Sequence, residues 1–370
     1  MKRILLVFGT RPEAIKMAPL IKEFQKHSHY FDTKVCVTAQ HREMLDQVLN
    51  FFEIVPDYDL NLMRPRQNLY QLTADVITQL KPVLEEFNPD YSFVHGDTLT
   101  SMAAALASFY AGIKVCHIEA GLRTYNKLAP FPEEMNRQIT GRLTDIHFAP
   151  TDKACKNLLS EKIGGTIEVT GNTVIDALLY AVDKLEKYSD REIEELKSTV
   201  DFSKSILLVT GHRRENFGDG FIRICKALSE IADTENIEIV YPVHLNPNVQ
   251  DPVNRLLSGK KNIKLIKPLA YPAFVWLMNK SHVILTDSGG VQEEAPSIGK
   301  PVLVMRETTE RPEAVESGTV KLVGTDEEKI ITEVKRLFHD KPYYHAMQVI
   351  HNPYGDGHAV ERIVEKMKNN

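Results

Sequence analysis

The stretch VHGDTLTSMAAALASFYAGIKVCHIEAGLRT, residues 94–124, decides the fold. An apolar run ends at His95 and gives way to Gly-Asp-Thr, an alanine-rich segment of helical length follows, and a second apolar run, IKVCHI, stops at Glu119. Strand, polar turn, helix, strand is the unit of a parallel sheet. Both strands end on charged groups, Asp97 and then Glu119 with Arg123, where uncharged turn residues would suffice.

The same grammar runs through the chain. ILLVF, TKVCVTA, YSFVH, IKVCHI, DIHFA and TIEVT precede residue 171, and SILLVT, IEIVYPV, NIKLI, HVILT, PVLVM and TVKLV follow it. Amphipathic stretches such as PEAIKMAPLIKEFQKH and QNLYQLTADVITQLKPVLEEF separate most of them. A charged, turn-poor segment, DKLEKYSDREIEELKS, parts the two series, so the reading is an α/β chain of two Rossmann-like, doubly wound domains. We expect the first over residues 1–170, with a C-terminal helix at about 356–370 returning to it, and the second over residues 171–355.

Bulk properties agree. A chain of 370 residues with 43% hydrophobic composition buries a full core and exceeds one ordinary domain. A net charge of −5 supplies no global basic field for nucleic acid or for a membrane surface, so neither is expected as a partner. The opening MKRILLVFGTRPE imitates a signal peptide briefly, but Ile4 to Phe8 is too short for its apolar core and Arg11 follows at once. Cys36, Cys116, Cys155 and Cys225 stand apart without a CxxC pair, which points to buried thiols in a reducing cytoplasm rather than to disulfides or zinc.

Polar clusters follow the strands: GTRPE, AQHRE, HGDT and EAGLRT, then TGHRREN, YPVHLN, PLAY, TDSGG and RETTERPE. Ligands of open parallel sheets bind beyond the carboxyl ends of the strands. Both halves therefore aim their chemistry at one cleft. ILTDSGGVQEEAPS reads as strand, glycine turn and helix start, leaving backbone N–H groups at Gly289, Gly290 and Val291 for an anion. Ser288 adds a hydroxyl, Glu294 lies where a carboxylate accepts from ribose hydroxyls, and Arg11 occupies another strand-to-helix junction. Neither G-x-G-x-x-G nor a Walker A sequence occurs, so the anion is read as a nucleotide diphosphate, with no redox cofactor or ATP. Asp97, Glu119 and Glu133, with Lys16, His95, His117 and His212, supply titratable groups. Singly, each has a plain structural role: Asp97 caps a helix, Glu119 pairs Arg123, Glu133 starts a helix behind Pro132, Lys16 is solvated, and His95 and His117 are core histidines. Together, so many charges at one sheet end have no structural use and a large desolvation cost if unpaired.

FGTRPEAIKMAPL, AQHREMLDQVL, HGDT, EAGLRT, PEEMNRQ, TGNTVIDAL, HRREN, YPVHLNP, DSGGVQEEAP and RETTERPEAVESGT, in this order, resemble the non-hydrolysing UDP-N-acetylglucosamine 2-epimerases, and the likeness runs on to NPYGDGHA. The resemblance implies the GT-B architecture, a homodimer, a final helix packing on the first domain, and cofactor-free interconversion of UDP-GlcNAc and UDP-ManNAc through 2-acetamidoglucal. It implies acid/base roles for Asp97, Glu119 and Glu133, with Lys16 and His212 as further required charges. Arg11, Ser288, Gly289, Gly290 and Glu294 match UDP-binding positions, Phe274 the aromatic against uracil, and Glu310 and Arg311 groups near the sugar or phosphate. Gln40, Glu43, Arg66, Arg213 and His244 match a second nucleotide-sugar site that activates some bacterial members, with Glu133 touching both ligands. Glu43 stands where the family wording has glutamine, and PLAYPAFVW departs from it around Phe274. A hydrolysing epimerase and a GT-B glycosyltransferase share the fold; the latter has no need of base groups on both faces of C2.

Overall fold

A computed structural model describes residues 1–38, 42–62, 64, 67–309, 311–348 and 352–370. Gln40, Arg66 and Glu310 lie outside the described residues. Two compact units result, one of Met1–Ala177 with Tyr354–Asn370, the other of Leu178–Pro353.

The first unit carries β1 (Lys2–Phe8), β2 (Phe31–Val37), β3 (Tyr58–Asp59), β4 (Tyr91–His95), β5 (Lys114–Ile118), β6 (Ile146–Ala149) and β7 (Thr166–Val169). They pair in parallel in the order β3-β2-β1-β4-β5-β6-β7. The second carries β8 (Ser205–Thr210), β9 (Ile237–Pro242), β10 (Ile263–Ile266), β11 (Val283–Thr286), β12 (Val302–Val304) and β13 (Val320–Leu322), in parallel as β10-β9-β8-β11-β12-β13. Each sheet thus has the doubly wound Rossmann order, and the chain is α/β with the two Rossmann-like units of a GT-B protein. The order reverses between β1 and β4 in one unit and between β8 and β11 in the other. Those reversals open the crevices where an open α/β sheet takes its ligand.

Burial explains the strands' composition. Ile4 to Phe8 and Leu207 to Val209 are fully buried, as strands covered on both faces require. In helix Asp219–Thr234, Phe221, Ile224, Leu228 and Ile231 recur at helical spacing and join Leu207, Val209, Ile239 and Tyr241 in the second unit's core. In the first unit, Leu80, Val83, Leu84 and Phe87 of helix Leu69–Phe87 do the same with Leu5, Val7, Val94 and Val115. The strand β3 is not foreseen by the sequence reading: two residues at a sheet edge carry no readable alternation.

The last helix, Ala359–Asn369, packs on helix Arg11–Lys26 of the first unit. Val360 N–H donates to the Asp176 carboxylate at 3.0 Å, and Lys2 Nζ donates to the Met367 carbonyl at 2.7 Å. Ile363, Val364 and Met367 form its buried stripe. Among the described residues, no helix is long and apolar enough to cross a membrane. The four cysteines are free, and Cys36, Cys116 and Cys225 are buried.

Candidate active site

At the β1–β4 reversal the first unit builds its polar cluster from strand ends upward. Gly9 leaves β1 so tightly that a Cβ there would lie 2.0 Å from Thr38 Oγ1, so only glycine fits. Thr10 then caps helix Arg11–Lys26 in a capping box with Glu13, whose Oε2 accepts from Thr10 N at 2.8 Å. Glu13 also accepts from Thr98 Oγ1 at 2.7 Å and Ser101 Oγ at 3.1 Å. One buried carboxylate thereby ties the turn bearing Arg11 to the turn bearing Asp97. Burial pushes its pKa up against those bonds.

Thr98, not Asp97, caps helix Leu99–Tyr110: its Oγ1 accepts from Ser101 N at 3.0 Å. Asp97 is left to pair Arg137 at 2.5 Å, while its carbonyl accepts from Asn136 Nδ2 at 3.0 Å. Burial raises the Asp97 pKa, with Arg137 pulling it back. Arg137 also lies 3.3 Å from Glu134, whose fully buried carboxylate accepts the N–H of Thr124 and of Tyr125.

Glu119 does not pair Arg123. Arg123, its side chain fully buried, makes a two-pronged pair with Glu161 at 2.7 and 3.1 Å. That partner lies 38 residues away and is invisible in EAGLRT. Glu119 instead pairs Lys16, accepts from Asn172 Nδ2 at 3.0 Å and stands 3.9 Å from His95 Nε2. Its backbone is left-handed, φ 61, a conformation that a glutamate adopts only when its surroundings enforce it. Lys16 is accordingly not a solvated helix residue; its side chain is mostly buried. His95 and His117 behave as read, as buried strand residues: burial drops their pKa values to about 4 and about 3, and His117 Nε2 meets the Gly96 carbonyl at 2.7 Å. Glu133 opens helix Glu133–Leu143, with Pro132 at the N-cap; its Oε2 is buried without a hydrogen-bond partner among the described residues. Arg11 is the first residue of its helix and partly exposed.

The second unit repeats the arrangement at its own reversal, where the turns after β8 and β11 meet. Asp287, fully buried, accepts the N–H groups of His212 and Arg213, each at 2.8 Å, and lies 3.3 Å from His212 Nδ1. Helix Gly289–Glu294 begins soon after, with Ser288 at its N-cap. The guanidiniums of Arg213 and Arg311 come together over Gly289: a Cβ there would meet Nη2 of each at 3.8 Å. Two guanidiniums beside a helix start are the chemistry that an anion calls for. Arg311 is anchored by an ion pair to the buried Glu293. The Glu294 carboxylate turns back toward Gly290, and Phe274, in helix Tyr271–Lys280, is half-exposed between buried Ala273 and Val275. His244 stacks on His212 with ring centroids 5.5 Å apart, while Glu43 is exposed on helix Arg42–Phe51 of the first unit.

The family model for UDP-N-acetylglucosamine 2-epimerase matches residues 22–368. A protein of that name from Escherichia coli (strain K12) is 58% identical over 373 residues, spanning 100% of this chain and 99% of its own. The chain belongs to the UDP-N-acetylglucosamine 2-epimerase family. Two solved members of the family are similar in structure. The UDP-GlcNAc 2-epimerase of Neisseria meningitidis, bound to UDP-GlcNAc, is 53% identical with a TM-score of 0.88 over 100% of both chains. That of Methanocaldococcus jannaschii, in complex with UDP-GlcNAc and UDP, is 34% identical with a TM-score of 0.79 over 100% of both.

Of the residues singled out in this epimerase-family sequence, the structure brings Asp97, Glu119 and Lys16 into one cluster, and gathers His212, Arg213, His244, Ser288, Gly289 and Arg311 in the other unit. The division between substrate and activator groups is not a spatial one there, since Arg213 and His244 sit beside Gly289 and His212. Sequence reasoning missed Glu13, Arg137, Asn172 and Asp287. Arg137 lies within PEEMNRQ, three to four residues from its carboxylates at helical spacing, and Asp287 immediately precedes Ser288. Nothing local marks Asn172 as a partner of Glu119.

Proposed function

We propose that this chain interconverts UDP-N-acetylglucosamine and UDP-N-acetylmannosamine at C2 without hydrolysis and without a cofactor. No carbonyl acidifies the C2 hydrogen, so simple abstraction would leave an unstabilised carbanion. Expelling UDP from C1 as the proton departs gives neutral 2-acetamidoglucal; returning a proton to the opposite face and re-adding UDP completes the inversion. The route asks for carboxylates on both faces of C2 and for cationic or helix-end groups at the leaving diphosphate.

The observation that carries this reading is the Glu119 carboxylate, held in a left-handed turn by Lys16 and Asn172 in the cluster that includes Asp97. In this assignment the first unit supplies acid and base through Asp97, Glu119 and Glu133. The second holds UDP through Ser288, Gly289, Gly290, Arg311 and Glu294, with Phe274 against uracil and His212 at the diphosphate, joined by Arg11. The names and ligands of the relatives support a UDP-sugar as the substrate.

Incubating the purified chain with UDP-GlcNAc alone and following the anomeric protons by NMR tests the proposal. UDP-ManNAc should accumulate to a constant ratio. Free ManNAc with UDP would mean that water captures the intermediate, and turnover only with a sugar acceptor would make the chain a transferase. We also infer a homodimer, for which light scattering should give twice the chain mass of 42.0 kDa.

A further inference from the structure

The Asp287 carboxylate has no exposure at all, yet it sits in a strand-end turn among polar groups. A buried carboxylate persists only when its lone pairs are met. Here Oδ2 takes the backbone N–H groups of His212 and Arg213 and approaches Asn216 Nδ2 at 3.5 Å, while Oδ1 makes no hydrogen bond among the described residues and has His212 Nδ1 at an ion-pair distance of 3.3 Å. Burial would raise its pKa, but the nearby His212 ring and the backbone donors outweigh this and hold it below the ordinary value, so it is ionised at neutral pH. An acceptor-only group facing Nδ1 demands a proton there. In the neutral ring Nε2 is then the bare nitrogen, on the edge turned away from the buried aspartate. The His212 side chain is 44% exposed, and His244 backs one ring face.

We propose that Asp287 is a positioning residue which fixes the tautomer and direction of His212, so that Nε2 is the atom offered to the leaving diphosphate. This rests on the function proposed above. As the C1–O bond breaks, its electron pair goes to the β-phosphate oxygen; Nε2, which takes up a proton from solvent when the diphosphate binds, donates to that oxygen as a hydrogen bond, and the Asp287 carboxylate balances the charge of the ring. The C2 proton passes to a first-unit carboxylate and the C1–C2 double bond forms. Re-addition reverses each transfer, so no proton is gained or lost by the ring. The same carboxylate bonds the two backbone N–H groups that open the GHRREN turn, and so also sets Arg213 against Gly289.

Asparagine at this position keeps one oxygen for the backbone N–H groups and turns an NH2 toward Nδ1, which must then accept; the proton moves to Nε2. The test is the ring-nitrogen NMR spectrum of the ligand-free protein, with the His212 signals assigned by their loss in His212→Gln. We expect protonated Nδ1 in the neutral ring of the native protein and protonated Nε2 in Asp287→Asn. A native ring protonated at Nε2 overturns the proposal, and this reading stands even should the variant not fold. In turnover, Asp287→Asn should lower kcat at least tenfold with KM changed little, and should add nothing in the His212→Gln background. Additive losses would mean that Asp287 acts through the fold instead. Absence of turnover in the native protein would sink the epimerase reading while the spectrum still decides the tautomer.

Discussion

Glu119 and Arg123 separate what a charged strand end does from what it resembles. Paired with each other they would be a surface ion pair worth about 0–1 kcal/mol. In the structure they part: Arg123 goes into the fold with Glu161, and Glu119 stays with Lys16 and Asn172 in a backbone conformation costing about 1–3 kcal/mol. Strain of that order is retained where the side chain's direction matters. Glu119→Gln should therefore lower kcat by about 100-fold or more while UDP binding, read by calorimetry, changes only a few-fold. Turnover within a few-fold of the native protein would contradict a proton-transfer role. Glu161→Ala should behave oppositely: leaving the buried Arg123 without its carboxylate should cost about 3–5 kcal/mol in urea unfolding, with kcat per folded molecule unchanged. EAGLRT could not tell these fates apart, because Glu161 lies on another element. Asp97 was no more legible: by residue type aspartate is the better cap, yet the structure gives the cap to Thr98 and leaves the Asp97 carboxylate to Arg137.

At the scale of elements, each of the apolar runs became a strand; burial on both faces writes itself into the unbroken β-branched sequence of the central ones, while β7 at the sheet edge is not buried. The helices were read through their apolar spacing. What the sequence withheld was partnership across elements, such as Asn172 of the β7 turn holding Glu119 after β5, or the β11 turn holding His212 after β8. The returning helix Ala359–Asn369 shows the same limit. Its contact with Asp176 spans 184 residues. Burial raises the Asp176 pKa to about 6 from an ordinary 3.8, so the folded state holds a proton that the unfolded chain has released between those values. Its contribution to stability is present in full below about 3.8 and is lost as pH rises through about 6. Urea midpoints should accordingly show Asp176→Asn gaining on the native protein as pH is raised from about 4 to about 7. A difference that is constant or shrinks over that range would contradict the assignment.

For the whole molecule, two sheets of the same strand order each place their polar turns at the point where that order reverses. This rule makes the polar groups legible in the sequence itself, since ligands of such sheets gather at the carboxyl ends of the strands. It also divides the polar groups, with carboxylates paired to Lys16 and Arg137 on one unit and two arginines beside a glycine helix start on the other, and in the proposed function the first set handles the proton and the second the anion. The central claim is that those carboxylates exchange the C2 proton with solvent. The most direct measurement is the reaction of the purified chain with UDP-GlcNAc in D2O, following the C2 proton by NMR and mass. The account predicts UDP-ManNAc carrying one deuterium at C2, with the label lost from turnover in Glu119→Gln. UDP-ManNAc that retains the original hydrogen would contradict it, because the proton would then never have passed through these side chains to water.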